Sequence, residues 1–310
     1  MVRIAFIFPG QGSQYAGMGR DLYEKFEKAR DIFIQGEKET GLALRELAFD
    51  GPEDRLNDTG FAQPAILTVS VVCLELLKER GLRPVIVAGH SLGEYSALVA
   101  AEVITFGEAV KLVKKRGEIM QEESRQNPGG MVAIIGLSVE TIREICCRAN
   151  TLGRVDIANI NSPEQVVISG KKNALEKAKE LTLQAGAKKV VELKVSGAFH
   201  SSLMQTAEER LNEELIFVHF RKAKVPVVVN FSATAETEPQ VLKDYLGRQM
   251  TNPVRWEESM RLMVDEKMDI FIEVGPGRVL QGLLRRLDRN INAYGVEDEK
   301  SLKEVVEAIR

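Results

Sequence analysis

The sequence predicts an α/β fold: a core built on a parallel sheet, carrying an inserted ferredoxin-like (βαββαβ) subdomain. Three observations predict it. Strand-like and helix-like segments alternate through the first 126 residues. The Pro/Gly breaker "QNPGG" (Gln126–Gly130) then opens a run of about seventy residues in the order β-α-β-β-α-β. After "SGAFHSS" the alternation resumes. The large α/β domain is therefore expected over residues 1–126 and 197–310, and the small subdomain over 127–196.

The elements follow in order. "VRIAFIF" reads as the first strand and "DLYEKFEKAR" as a helix. "PAILTVSVVCLELLKERG" is a long helix closed by Gly81, and "PVIVAG" a strand. "SLGEYSALVAAE" and "TFGEAVKLVKKRGEIMQEES" read as helices. The small subdomain takes "MVAIIG", "VDIANI", "QVVISG" and "KKVVELKV" as strands, with "SVETIREICCRAN" and "KNALEKAKELTLQAG" as its helices. Beyond it come a helix over Met204–Leu215, a strand "VPVVVNFS", and helices around Val241–Met250 and Trp256–Glu266. The strand "DIFIEVGPG", helix "RVLQGLLRRL", strand "INAYGV" and a last helix complete the pattern.

Composition narrows the function. The 310 residues are 44% apolar and 28% charged, ordinary for a globular protein, and are enough for a sizeable core. A net charge of −3 gives no global attraction to nucleic acid or to acidic membranes. Lys111, Lys114, Lys115 and Arg116 form one candidate basic patch. Three cysteines make no disulfide framework, and three histidines without CxxC give no zinc pattern, so no metal is expected. Reduced core thiols point to a cytoplasmic protein. The longest apolar run, Ala65–Leu77, is too short to span a bilayer and contains Glu75.

Chemistry concentrates in Gly89-His90-Ser91-Leu92-Gly93, which fits G-x-S-x-G between a strand and a helix. The first glycine permits the sharp turn, and the second lets the helix pack close to the sheet. Ser91 Oγ is left exposed, with the Leu92 amide at the helix N-terminus where negative charge is favoured. A helix cap is the plainer role for such a serine; the strand–turn–helix context favours a nucleophile. A serine nucleophile needs a base. His90 adjoins Ser91, and on a sharp turn adjacent side chains diverge, so it packs or hydrogen-bonds beside the elbow. His219 lies in the apolar run "LIFVHF" and reads as structural. His200, where a loop meets a helix start, is the base by elimination, against the alternative of a solvated cap histidine. Asp156 and Glu192 fall between Ser91 and His200 but belong to the small subdomain, so no third triad member presents itself. The turn "PGQGSQ" (Pro9–Gln14) after the first strand could bring an N–H to a ligand or be an ordinary βα turn.

Six ordered blocks carry a resemblance: "FPGQGSQ", "GHSLGEYSAL", "KKRGEIMQE", "GAFHSSLM", "RQMTNPVRW" and "EVGPGRVLQGL". Together they resemble malonyl-CoA:acyl carrier protein transacylases of fatty acid synthesis, from Phe8 to about Leu283. The resemblance implies a hydrolase-like core with a ferredoxin-like insert. It implies malonyl transfer from malonyl-CoA to the phosphopantetheine thiol of acyl carrier protein through a malonyl-serine, without a cofactor. It also implies site roles. Ser91 and His200 would be catalytic, with the histidine held by a backbone carbonyl at Gln249. The amides of Gln11 and Leu92 would form the oxyanion hole. Arg116 would grip the malonyl carboxylate, which guanidinium suits by bidentate geometry. Phe199 would fill the space an α-methyl group needs, and His90 joins them among the expected substrate-binding residues. Ala198 stands where relatives often carry proline. The three lysines beside Arg116 would face CoA phosphates or the carrier. A serine thioesterase or esterase is the alternative reading, and a non-catalytic carrier-docking module a third.

Overall fold

The computed structural model describes residues 2–309. Strand β1 (Ile4–Phe8) is buried at every position. Helices α1 (Arg20–Lys25), α2 (Glu27–Thr40), α3 (Leu44–Phe49) and α4 (Glu53–Leu56) precede the long α5 (Thr59–Glu79). Strand β2 (Ile86–Gly89) then leads into α6 (Gly93–Ala100) and α7 (Phe106–Gln126). Next come β3 (Gly130–Ile135), α8 (Val139–Ala149), β4 (Val155–Ser162), β5 (Gln165–Gly170), α9 (Lys172–Gln184) and β6 (Lys189–Glu192). The chain closes with α10 (Gln205–Leu215), β7 (Val227–Val228), β8 (Ala235–Glu236), α11 (Pro239–Gly247), α12 (Trp256–Asp265), β9 (Ile270–Val274), α13 (Val279–Leu287), β10 (Ala293–Val296) and α14 (Glu299–Ile309).

Two sheets result. The six-stranded sheet has the order β10-β9-β1-β2-β7-β8, parallel from β10 to β7, with β8 antiparallel at the edge. The four-stranded sheet, β4-β5-β3-β6, is antiparallel throughout. The four-stranded sheet is tied to the segment that leads into α12, where Val254 N–H donates to Ala158 O and Ile160 N–H to Val254 O, both at 2.9 Å. The main apolar core lies between the large sheet and α5, α6 and α7.

Local physics moved several boundaries. Helix α5 starts at Thr59 rather than Pro64, because Asp58 caps it by accepting from the Gly60 amide at 3.0 Å. Burial of the added turn, Gln63 included, overrides the proline signal. This helix is long and apolar enough to cross a membrane, yet 89% of that stretch is buried inside the protein. The expected strand through "VPVVVNFS" keeps only Val227–Val228, since the Asn230 amide bonds the Glu94 carboxylate instead of a neighbouring strand. The first expected helix breaks at Phe26, whose backbone is extended. Helices α3 and α4 and strand β8 lie in segments where periodicity gave no reading.

Two surface readings are corrected. His219 is exposed rather than structural, because the chain leaves α10 with Ile216 and Phe217 also turned to solvent. Arg116 leaves the candidate basic patch, being buried on the opposite side of α7, while Lys111 pairs with Glu39 at 2.6 Å and Lys114 with Glu118 at 3.4 Å.

Candidate active site

The elbow is built by close packing. A Cβ on Gly89 would stand 1.9 Å from the Gly93 backbone, and one on Gly93 2.1 Å from the Phe8 carbonyl oxygen. Only glycine fits at either position, so α6 presses directly on β1 and β2. Between them Ser91 takes φ 51°, in the left-handed region. Asn230 holds that conformation, its Oδ1 accepting from Ser91 N–H at 2.7 Å while its Nδ2 donates to Gly89 O at 2.7 Å.

Ser91 Oγ lies 2.7 Å from His200 Nε2. His200 Nδ1 faces two carbonyl oxygens, Gln249 at 2.9 Å and Asn252 at 3.2 Å. Carbonyls only accept, so the proton sits on Nδ1 and Nε2 is left as the acceptor for the serine hydroxyl. Burial, reinforced by the Arg116 cation, pushes the His200 pKa down to about 3. The ring is therefore neutral and basic in form at ordinary pH. The place a triad acid would occupy is filled by main chain. Asp156 instead accepts from Ser202 N–H at 2.9 Å and Ser202 Oγ at 2.7 Å, clamping the turn that follows His200. Glu192 pairs with Lys179 at the surface.

Arg116 reaches this pair from α7. It is 1% exposed, and its Nη2 donates to Ser91 Oγ at 3.1 Å and to Gln249 Oε1 at 2.9 Å. Nη1 donates to Gln63 Oε1 at 2.7 Å, and the guanidinium lies over the Tyr95 ring at 5.4 Å. Among the described residues Nε has no hydrogen-bond partner and no carboxylate pairs with the cation. Burial lowers its pKa, without bringing a guanidinium near neutrality.

Gly10 lies against the elbow, where a Cβ would stand 2.4 Å from the His90 carbonyl oxygen. Gln11 follows on the same turn, its Nε2 donating to Thr59 Oγ1 at 3.2 Å. Among the described residues the amides of Gln11 and Leu92 have no acceptor. His90 shares a 2.9 Å hydrogen bond between Nε2 and Asn161 Oδ1 on β4, and its ring meets Trp256 edge-on. Burial lowers its pKa. Phe199 is buried in the main core next to His200.

A glycine-framed strand–turn–helix elbow, a backbone-held histidine and a buried guanidinium converge at one hydroxyl. A family model described as "Acyl transferase domain" matches residues 5–304. The chain belongs to this acyl transferase family. It is 42% identical to the malonyl CoA-acyl carrier protein transacylase of Bacillus subtilis (strain 168), over 100% of this chain and 98% of the relative. It superposes on an acyl carrier protein S-malonyltransferase from Vibrio cholerae O1 biovar eltor with a TM-score of 0.94 at 42% identity, covering 98% of this chain and 99% of the other. A structure described as a type II PKS acyl-carrier protein in complex with its malonyl-transacylase gives a TM-score of 0.96 at 40% identity, covering 99% of each chain.

In this acyl transferase, four site residues escaped the sequence reading. Asn230 carries no pattern that marks it, and Asn252 lies in the block "RQMTNPVRW", where Gln249 alone was singled out. Gln63 is hidden in an apolar helix. Glu94 had the only usable signal, an acid one turn past the elbow, and there a favourable helix-dipole role is the simpler explanation.

Proposed function

We propose that this acyl transferase moves a malonyl group from malonyl-CoA to the phosphopantetheine thiol of an acyl carrier protein, by way of malonyl-Ser91. The observation that carries the reading is Arg116: a buried cation with no carboxylate in salt-bridge contact among the described residues, in hydrogen-bond reach of the nucleophile. A thioester with a free carboxylate supplies the missing anion, and guanidinium binds it bidentately. The names of the relatives point to the same substrates and partner.

In the first half-reaction His200 Nε2 takes the Ser91 proton as Oγ attacks the thioester carbon. The unpaired amides of Gln11 and Leu92 are the oxyanion donors, each worth about 3 kcal/mol of barrier. The C–S bond then breaks and the departing CoA sulfur takes the proton from Nε2. In the second half-reaction the carrier thiol gives its proton to Nε2 and attacks malonyl-serine, and Ser91 recovers its hydrogen. The carbonyls of Gln249 and Asn252 keep Nδ1 protonated throughout. Phe199 limits space at the acyl group, and His90 holds the elbow against the second sheet at the substrate-binding side.

We read residues 127–196 as a ferredoxin-like insert in a hydrolase-like domain formed by 1–126 and 197–310. The order β3-α8-β4-β5-α9-β6 with spatial order β4-β5-β3-β6 supports this division. A cytoplasmic site of action fits the free cysteines, two of them buried.

The test is incubation with malonyl-CoA, with and without phosphopantetheinylated carrier protein, followed by intact mass spectrometry. The expected result is a malonyl adduct on Ser91 that is discharged to the carrier. Continuous CoA release without carrier would favour the thioesterase reading, and carrier binding without any adduct would favour a docking module.

A further inference from the structure

Glu94 is a buried acid to which the reaction above gives no part. It is the second residue of α6, directly after the elbow, and is 1% exposed. Its Oε2 accepts from Asn230 N–H at 3.0 Å and from Gln249 Nε2 at 2.8 Å. Arg116 on α7 is the cation whose charge reaches it, and Tyr95 is the neighbouring titratable group on its own helix. Burial raises its pKa to about 7, which leaves a large ionised fraction at neutral pH.

An ionised carboxylate can accept but not donate. A backbone carbonyl accepts only and a guanidinium donates only, so Gln249 presents its NH2 to Ser91 O at 3.0 Å and to the Glu94 carboxylate. The amide oxygen is then turned the other way, onto Arg116 Nη2 at 2.9 Å. Turned over, the amide would set NH2 against guanidinium, donor against donor, and its oxygen against a carboxylate and a carbonyl. The Glu94 carboxylate, with Ser91 O, thus holds the NH2 end of the amide, and the oxygen end holds the guanidinium.

We propose that Glu94 is a positioning residue for substrate selection: through the Gln249 side chain it holds Arg116 in place for the carboxylate of the acyl group. The inference rests on the malonyl reading above and deepens it. It gives Gln249 two separable tasks, its main chain holding His200 and its side chain holding Arg116.

The test compares the full-length protein with Glu94→Met, Glu94→Gln and Gln249→Met. Acylation of Ser91 by malonyl-CoA and by acetyl-CoA is followed by rapid-quench mass spectrometry, and serine reactivity by fluorophosphonate labelling. Glu94→Met and Gln249→Met should each lower the malonyl-to-acetyl ratio of kcat/KM about tenfold, chiefly through KM for malonyl-CoA. Glu94→Gln keeps an acceptor oxygen and should hold the ratio within about threefold of the parent. Fluorophosphonate labelling should persist in Glu94→Met and Glu94→Gln. In an Arg116→Ala background Glu94→Met should lower the ratio no further. A folded Glu94→Met protein with an unchanged ratio, or a further fall in the Arg116→Ala background, overturns the inference. Should Glu94→Met fail to fold, the ratio in Gln249→Met decides by the same criterion. A parent protein that forms no malonyl-serine overturns the reaction and the inference together, whereas normal malonyl loading with an unmoved ratio in the variants overturns the inference alone.

Discussion

Ser91 and His200 meet at 2.7 Å across 109 residues of chain, and both hold positive φ, 51° and 56°. Left-handed backbone at a residue with a Cβ costs about 1–2 kcal/mol. Here it persists because the surroundings over-determine it: Asn230 pins the serine, and the Gln249 and Asn252 carbonyls pin the histidine ring.

This strain should separate Ser91→Ala from Ser91→Gly. Ser91→Ala and Ser91→Gly should both abolish the malonyl adduct by intact mass. Ser91→Gly should be the more stable of the two by about 1 kcal/mol in urea denaturation, because glycine adopts positive φ freely. An adduct surviving in either variant would move the nucleophile elsewhere.

Arg116→Ala should reduce loading from malonyl-CoA far more than from acetyl-CoA, by about a hundredfold in the ratio of kcat/KM, the scale of a charge-assisted bidentate contact. Equal losses with the two donors would show that Arg116 acts on Ser91 alone, through the 3.1 Å contact.

The depressed His200 pKa fixes the direction of two pH responses. Fluorophosphonate labelling of Ser91 should show no acid limb at the ordinary histidine value of 6.5, since the folded ring protonates only near 3. Between those values the unfolded chain binds the proton and the folded one does not. The contribution of His200 to stability is therefore full above pH 6.5 and is lost as pH falls toward 3. Urea midpoints should accordingly fall less steeply on acidification in His200→Ala than in the parent. Identical slopes would remove the burial argument.

Gly93→Ala should cost about 3 kcal/mol or more, because the new methyl group would press into the Phe8 carbonyl. Its urea midpoint and its fluorophosphonate labelling should fall together. Normal stability would mean that α6 can move away from the sheet.

The periodicity of the chain located most strands and helices of both sheets, and G-x-S-x-G with a search among three histidines was enough to pair Ser91 with His200. These signals are local or easily counted. Proline at position 64 misled the start of α5 because its cap, Asp58, lies outside the apolar run. The strand around Val227 was overestimated because Asn230 bonds to the elbow and not to a sheet neighbour. Arg116 looked like one more surface cation in "KLVKKRGEIM", and the resemblance to a family was needed to single it out.

By itself, then, the sequence determined the α/β class, the glycine-framed turn and the pairing of one serine with one distant histidine, because backbone sterics and residue periodicity are written in short stretches of chain. Only the tertiary structure decided which side of α7 Arg116 occupies, that main-chain carbonyls stand where a carboxylate was sought, and that Glu94, Gln249 and Asn230 interlock beneath Ser91. Those are contacts between elements far apart in sequence. Their hydrogen-bond directions are set by how the layers pack, which no local pattern of residues encodes.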